Sequence, residues 1–107
     1  MQTMASKMSS TFMGPEVRTG NVTLSMDGST QVLTLSNDVT IPDAPDPHWQ
    51  VVDGMGNAYL LQRLKVAGDR VNRSIALPSY AKGITAVRIY CAFADVVLGE
   101  ARFDARM

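Results

Sequence analysis

Four residues in two apolar stretches could carry redox or ligand chemistry. Cys91 is the only cysteine, and it follows Tyr90 in the apolar run at positions 86–93. The only histidine, His48, precedes the only tryptophan, Trp49, just after a proline-rich loop. A thiolate is a soft, electron-rich ligand, and an imidazole can bind metals or transfer protons near neutral pH. The candidate redox or cofactor-binding residues are therefore Cys91, His48, Tyr90 and Trp49.

Strand geometry restricts what Cys91 can do. Successive side chains of a strand point to opposite faces, so Cys91 shares the face expected to be buried with Val87, Ile89 and Phe93. Low polarity disfavours the reactive thiolate form, and free cysteines usually behave as small core hydrophobes. Two interpretations of Cys91 stay open: a redox or ligand thiol next to a pocket or an aromatic neighbour, and an inert core residue.

The same alternation of side chains limits what His48 can contact, and the number of histidines and cysteines limits metal binding. If Trp49 faces inward, His48 faces outward and cannot meet Cys91 in the core, which makes a hydrogen-bonded surface histidine the alternative to a ligand. A blue-copper site needs two histidines with its cysteine, and zinc sites need paired cysteine or histidine spacings. The sequence has neither, so we predict no metal site.

Three aspartates, Asp43, Asp46 and Asp53, are candidate binding residues on loops. Their spacing matches no EF-hand, and turn formation is the simpler explanation for them. The chain also lacks the nucleophile elbow, the phosphate-binding loop and the dinucleotide fingerprint. An enzyme with a complete catalytic set is therefore the least favoured class of function.

Composition limits the partners of this chain. Its 107 residues are 46% hydrophobic and 19% charged, and ten Lys and Arg balance ten Asp and Glu. No concentrated basic field suggests nucleic acid as a partner, and no apolar segment approaches the roughly 18 residues that span a membrane.

The length predicts one domain over residues 12–104. The polar, Met-rich residues 1–11 are expected to form an arm that is disordered or derived from an expression vector.

Short apolar runs separated by Gly, Pro, Asn and Asp predict strands joined by turns. Asp27-Gly28 between two alternating runs predicts one hairpin, and residues 86–92 with 96–103 predict another. Three prolines at positions 42–47 indicate a rigid loop. The predicted fold class is all-β, either an antiparallel β-sandwich or a flattened barrel. Its expected core comprises Leu24, Leu33, Leu35, Trp49, Val87, Ile89, Val97 and Phe103.

A series of short motifs follows the same order as in a known family. They are Pro45-Asp46, His48 to Val52, Leu61 to Lys65, Gly68-Asp69, Leu77-Pro78, Tyr90-Cys91 and Gly99-Glu100-Ala101. In this order and spacing the chain resembles the DM-thirteen domain, a small domain found beside DOMON domains in Skeletor-type proteins. The resemblance extends from about residue 12 to residue 103. The strand with Tyr90-Cys91, followed by the Gly-x-Ala strand, is its most specific part.

The resemblance implies an all-β, mostly extracytoplasmic domain with an electron-transfer role centred on Cys91. It allows haem as the cofactor and a redox or protein partner. If a targeting segment has been removed, we expect a periplasmic, secreted or cell-surface location, and otherwise a cytoplasmic one. The alternative function is a noncatalytic β-sandwich that binds a partner protein or a small ligand. Its binding loops would be Pro42 to His48 and Gly54 to Asn57, because loops on a rigid sheet commonly carry binding residues.

Overall fold

The computed structural model describes residues 6–42, 44–65 and 71–103, which form strands, turns and irregular segments without a helix. Short runs of β-branched and aliphatic residues bounded by turn residues account for this strand content. The eight strands are β1 (Lys7–Met8), β2 (Val22–Asp27), β3 (Thr30–Leu35), β4 (Pro47–Asp53), β5 (Ala58–Arg63), β6 (Ser74–Ala76), β7 (Ile84–Cys91) and β8 (Val96–Arg102).

The strands form two antiparallel four-stranded sheets. One sheet has the order β1-β2-β3-β6, and the other has the order β5-β4-β7-β8. No named strand belongs to both sheets, which is the arrangement of a β-sandwich. The predicted all-β class and antiparallel sandwich are confirmed.

Both hairpins expected from the sequence are present. β2 and β3 pair from Val22–Leu35 to Asp27–Thr30, and Gly28 in their turn has a positive φ of 66°. Glycine adopts this conformation without the steric penalty of a Cβ atom. β7 and β8 pair as the second hairpin, which forms one end of the sheet that carries the cysteine.

The core lies between the two sheets and contains six of the eight residues predicted for it. These are Leu33, Leu35, Trp49, Val87, Ile89 and Phe103. Leu24 is only partly buried, although it packs against this core. The prediction for Val97 is wrong, because that residue is half-buried and lies outside the core cluster.

A β-bulge explains the error at Val97. The register of β7 with β8 shifts between Ile89, which pairs with Gly99, and Tyr90, which pairs with Val97. Leu98 is the extra residue, and it turns into the core in place of Val97. A bulge inserts one residue and so reverses the alternation of faces on one side of it. The sequence-based alternation holds for β8 only beyond Leu98.

Residues 6–11, the described part of the expected arm, belong to the fold. Lys7 and Met8 pair with Leu24 and Thr23 as the edge strand β1. The next residue, Ser9, is buried, and its hydroxyl accepts a hydrogen bond of 2.9 Å from the backbone N–H of Val22. This contact corrects the expectation of an arm for these positions, since a serine hydroxyl satisfies a backbone donor of β2. Residues 1–5 of that range lie outside the described residues.

Candidate functional site

Cys91 is the last residue of β7 and faces the core. It is 2% exposed, and the prediction that it is buried is confirmed. Val87 and Ile89 share its face, as the alternation predicted, and Pro47 is its neighbour on β4. The thiol therefore lies at one end of the sandwich, under the loop that leads into β4.

A pocket of about 240 Å³ adjoins Cys91 at this end of the sandwich. The loop before β4, the turn between β7 and β8, the bulge of β8 and a segment near the N-terminus all contribute to its wall. We call it the Cys91 pocket, and its lining residues are Glu16, Pro42, Ala44, Pro45, Cys91, Ala94, Val96 and Leu98. The sequence analysis expected either a pocket or an aromatic neighbour next to the thiol, and the pocket is present.

The N-terminal wall of the pocket depends on a close crossing of two backbones. The N–H groups of Glu16 and Val17 both donate to the carbonyl oxygen of Leu98, each at 3.0 Å. A Cβ atom added to Gly99 would lie 2.7 Å from the Cβ of Val17, and one added to Gly14 would lie 2.5 Å from the Cα of Gly99. These glycines let the segment pass directly over β8. The crossing brings Glu16 to the pocket.

The aromatic candidates do not surround the thiol as a group. Trp49 is fully buried, and its indole N–H donates to the carbonyl oxygen of Asn72 at 2.9 Å, so it has a structural role. Tyr90 lies on the opposite face of β7 from Cys91, and its hydroxyl donates to the carboxylate of Asp95. The expectation that Phe93 shares the buried face is wrong: β7 ends at Cys91, and Phe93 is 78% exposed in the following turn.

His48 faces outward, on the other side of the sheet from Cys91. It pairs with Tyr90 across β4 and β7, and its side chain is 14% exposed. Its Nδ1 lies 3.0 Å from the carbonyl oxygen of Leu61, and its Nε2 lies 3.2 Å from Oδ1 of Asp46. Both ring nitrogens thus face hydrogen-bond acceptors within the protein. The ring links β4 to β5 and to the preceding loop, and neither nitrogen points at the thiol.

The aspartates have separate structural roles. Asp46 contacts His48 and also lies 3.4 Å from Nε of Arg63, so its carboxylate already has two cationic or donor partners. Asp43 lies outside the described residues. Asp46 makes these contacts on the outer face of the sheet and is not a lining residue of the Cys91 pocket.

Asp53 organises the loop that follows β4. Its carboxylate accepts hydrogen bonds from the backbone N–H groups of Asn57 and Met55, each at 2.9 Å, and from the Asn57 amide and the Tyr59 hydroxyl. The bonds from Asn57, and then those from Met55 and Tyr59, hold the pKa of Asp53 below its ordinary value. The hydrogen bond to Asp53 raises the pKa of Tyr59, and burial adds to this effect. Asp53 therefore serves as a loop cap.

The two loops expected to form a binding surface lie at opposite ends of β4. The loop ending at Pro47 enters the strand, and the loop from Gly54 to Asn57 leaves it. Seven strand residues separate them by roughly 20 Å at about 3.3 Å per residue. A small ligand therefore cannot contact both loops. Only the first loop adjoins the Cys91 pocket.

The haem allowed by the resemblance does not fit this site. An apolar cavity of about 150 Å³ accommodates one benzene molecule, whereas a haem has four pyrrole rings. A pocket of about 240 Å³ is too small for it, and His48 cannot provide a second ligand from the opposite face. Within residues 6–42, 44–65 and 71–103, no cluster of three metal-ligating side chains occurs.

No helix in the described part of the chain has the length and apolarity to cross a membrane. Comparison of the chain with protein-family models, with curated proteins and with solved structures finds no match. The DM-thirteen resemblance and the location inferred from it stay predictions. The pocket and its residues are thus the basis for a functional proposal.

Sequence patterns indicated part of this site. They placed Cys91 on a buried face and identified the proline-rich loop as a candidate binding loop, but they gave no role to Glu16, Ala94, Val96 or Leu98. Along the chain, Glu16 is more than 70 residues before the other three, and the crossing of the two backbones at Gly99 brings it near them. The one signal that could have pointed there is a glycine inside a strand, which often marks the close approach of another backbone.

Proposed function

We propose that this protein is a noncatalytic binding module that holds a small apolar ligand in the Cys91 pocket. The observation that supports the proposal is the composition of the wall. Six of the eight lining residues are proline, alanine, valine or leucine, and a seventh is the weakly polar Cys91. A concave, mostly apolar site with few polar groups is the usual form of a small-molecule site.

The size of the pocket indicates the size of the ligand. At about 240 Å³ it exceeds the roughly 150 Å³ that holds benzene, and it lies below the usual range for drug-sized molecules. A ligand with one aromatic ring, or an aliphatic group of similar volume, matches this space. The driving force would be the removal of apolar surface from water, at about 25 cal/mol per Å².

Redox chemistry of Cys91 is the second candidate. Its support is that the cysteine lines the same pocket, so a small reactant could approach a thiol that is otherwise buried. Against it, the described residues of the pocket wall include no lysine, arginine or histidine that would stabilise a thiolate. This is why binding without chemistry ranks above the electron-transfer role implied by the resemblance.

Benzyl alcohol is a suitable neutral probe for the binding proposal. Titration of ¹⁵N-labelled protein should shift the amide signals of Cys91, Ala94, Val96 and Leu98 with one saturable dissociation constant. Ala94→Phe should abolish these shifts, because the larger side chain at an exposed lining position fills the pocket. Ala58→Phe is the matched control, since it places the same side chain on β5, away from the pocket.

The proposal fails if benzyl alcohol leaves those signals unshifted, or if Ala94→Phe binds it as well as the parent does. Both variants should first be shown to unfold at the parent's denaturant midpoint. An absorption spectrum and alkylation of the thiol with iodoacetamide, a reagent smaller than one aromatic ring with its substituents, test the redox candidate in native and denatured protein. A thiol that reacts only after denaturation would exclude it.

A further inference from the structure

Among the residues that the structure describes, the wall of the Cys91 pocket contains a single charged side chain, and it is acidic. Glu16 is exposed at the pocket, while the other lining residues have no ionisable group apart from the thiol of Cys91. The backbone of Glu16 is fixed by its N–H bond to Leu98, a lining residue on β8. The carboxylate is therefore attached to a rigid part of the wall.

No cation of the described residues neutralises this carboxylate. The ion pairs in that part of the chain join Asp46 to His48 and Arg63, and Glu100 to Arg88 and Arg102. The nearest arginine in the sequence, Arg18, donates instead to the carbonyl oxygens of Gly14 and Pro15. Glu16 thus leaves a negative charge unpaired beside an apolar pocket.

We infer that the ligand of the Cys91 pocket is an amphiphilic amine, with an apolar group that enters the pocket and a cation that pairs with Glu16. This inference rests on the proposed binding function and adds the chemical class of the ligand. Charge complementarity supports it, because an anionic ligand would meet an uncompensated carboxylate and a neutral one would gain nothing from it. Because Glu16 is exposed, an ammonium group that pairs with it would also stay in contact with water.

A matched pair of probes separates the apolar contribution from the ionic one. Benzylamine and benzyl alcohol have nearly the same shape, and only benzylamine is a cation at neutral pH. In Glu16→Gln we expect the affinity for benzylamine to fall about two- to fivefold, the range for an exposed ion pair, and the affinity for benzyl alcohol to stay unchanged. Raising the ionic strength should weaken the binding of benzylamine to the parent protein but not its binding to Glu16→Gln.

Asp27→Asn is the control for a nonspecific effect of net charge. It removes one carboxylate from the end of β2, which does not line the pocket, and it should leave both affinities unchanged. If Glu16→Gln binds both probes as the parent does, the inference about the cation is wrong and the binding function stands. If neither probe shifts the pocket signals of the parent, the binding function fails and this inference fails with it.

Discussion

Replacing Gly99 with alanine should destabilise the fold and disturb the pocket in the same step. The new Cβ would lie 2.7 Å from the Cβ of Val17 and 2.9 Å from its carbonyl oxygen. Both contacts are well inside ordinary van der Waals separation, and one of them is with backbone, which cannot move aside as a side-chain end can. The segment that carries Glu16 must therefore move away from β8.

Overpacking of this kind costs about 1–3 kcal/mol of unfolding free energy. Because each kcal/mol lowers the melting temperature of a domain of this size by about 4–8 °C, the change is easily measured. The hydrogen bonds from Glu16 and Val17 to Leu98 would weaken as the backbones separate. Amide exchange at Glu16 and Val17 should accelerate more than at Val87, which lies in a central strand of the same sheet.

Gly54→Ala is the matched control for this substitution. Its new Cβ would meet only the Thr85 methyl carbon at 3.8 Å, and Gly54 has no positive φ. We expect this variant to be neutral or stabilised by up to about 1 kcal/mol, because alanine reduces the entropy of the unfolded chain. Urea denaturation of both variants measures the contrast. Equal midpoints for Gly99→Ala and Gly54→Ala would refute the close crossing.

Two further substitutions test the core and the loop cap. Ile89→Ala should lower the unfolding free energy by about 2–5 kcal/mol, since it removes a fully buried side chain and leaves a cavity; an unchanged urea midpoint would contradict its placement. Asp53→Asn should destabilise the protein at pH 7 and less at pH 3. Because the pKa of Asp53 is lowered in the folded protein, the carboxylate stabilises the fold at pH values above 3.8, and this effect is lost as the pH falls through the pKa of the folded state. An equal loss of stability at both pH values would contradict the loop-cap role.

Local patterns predicted much of the fold because their causes are local. Asp27-Gly28 identified the β2–β3 hairpin, since a tight turn needs a residue that tolerates positive φ. Alternation placed Trp49 and Ile89 inside and His48 outside, because the strand period is a property of the backbone itself. These predictions needed no knowledge of the partner strands.

The errors arose at a bulge and at the end of a strand, which the apolar pattern alone does not show. Gly99 is the one local sign of the bulge at Leu98, but it does not fix the register, which depends on how β8 pairs with β7 while Leu98 also bonds to Glu16 and Val17. Phe93 continues the apolar pattern of β7, yet the chain turns at Ala92 and leaves the ring in solvent. At Val97 tertiary contacts override a periodicity that is correct for the rest of the strand, whereas at Phe93 the short turn over residues 92–95 ends the strand before the apolar pattern ends.

The β4–β7 pairing decides which of the candidate residues can act together. Pro47 lies opposite Cys91, and His48 lies opposite Tyr90, so the sheet separates the thiol from the imidazole. A general base on one face of a sheet cannot take a proton from a group on the other face, because catalytic proton transfer needs hydrogen-bonding distance. Any chemistry of Cys91 must therefore use what enters the pocket, while His48, Asp46 and Arg63 stabilise the outer face. Under the proposed function, recognition would depend on the pocket wall, in which Glu16 is the one charged side chain among the described residues.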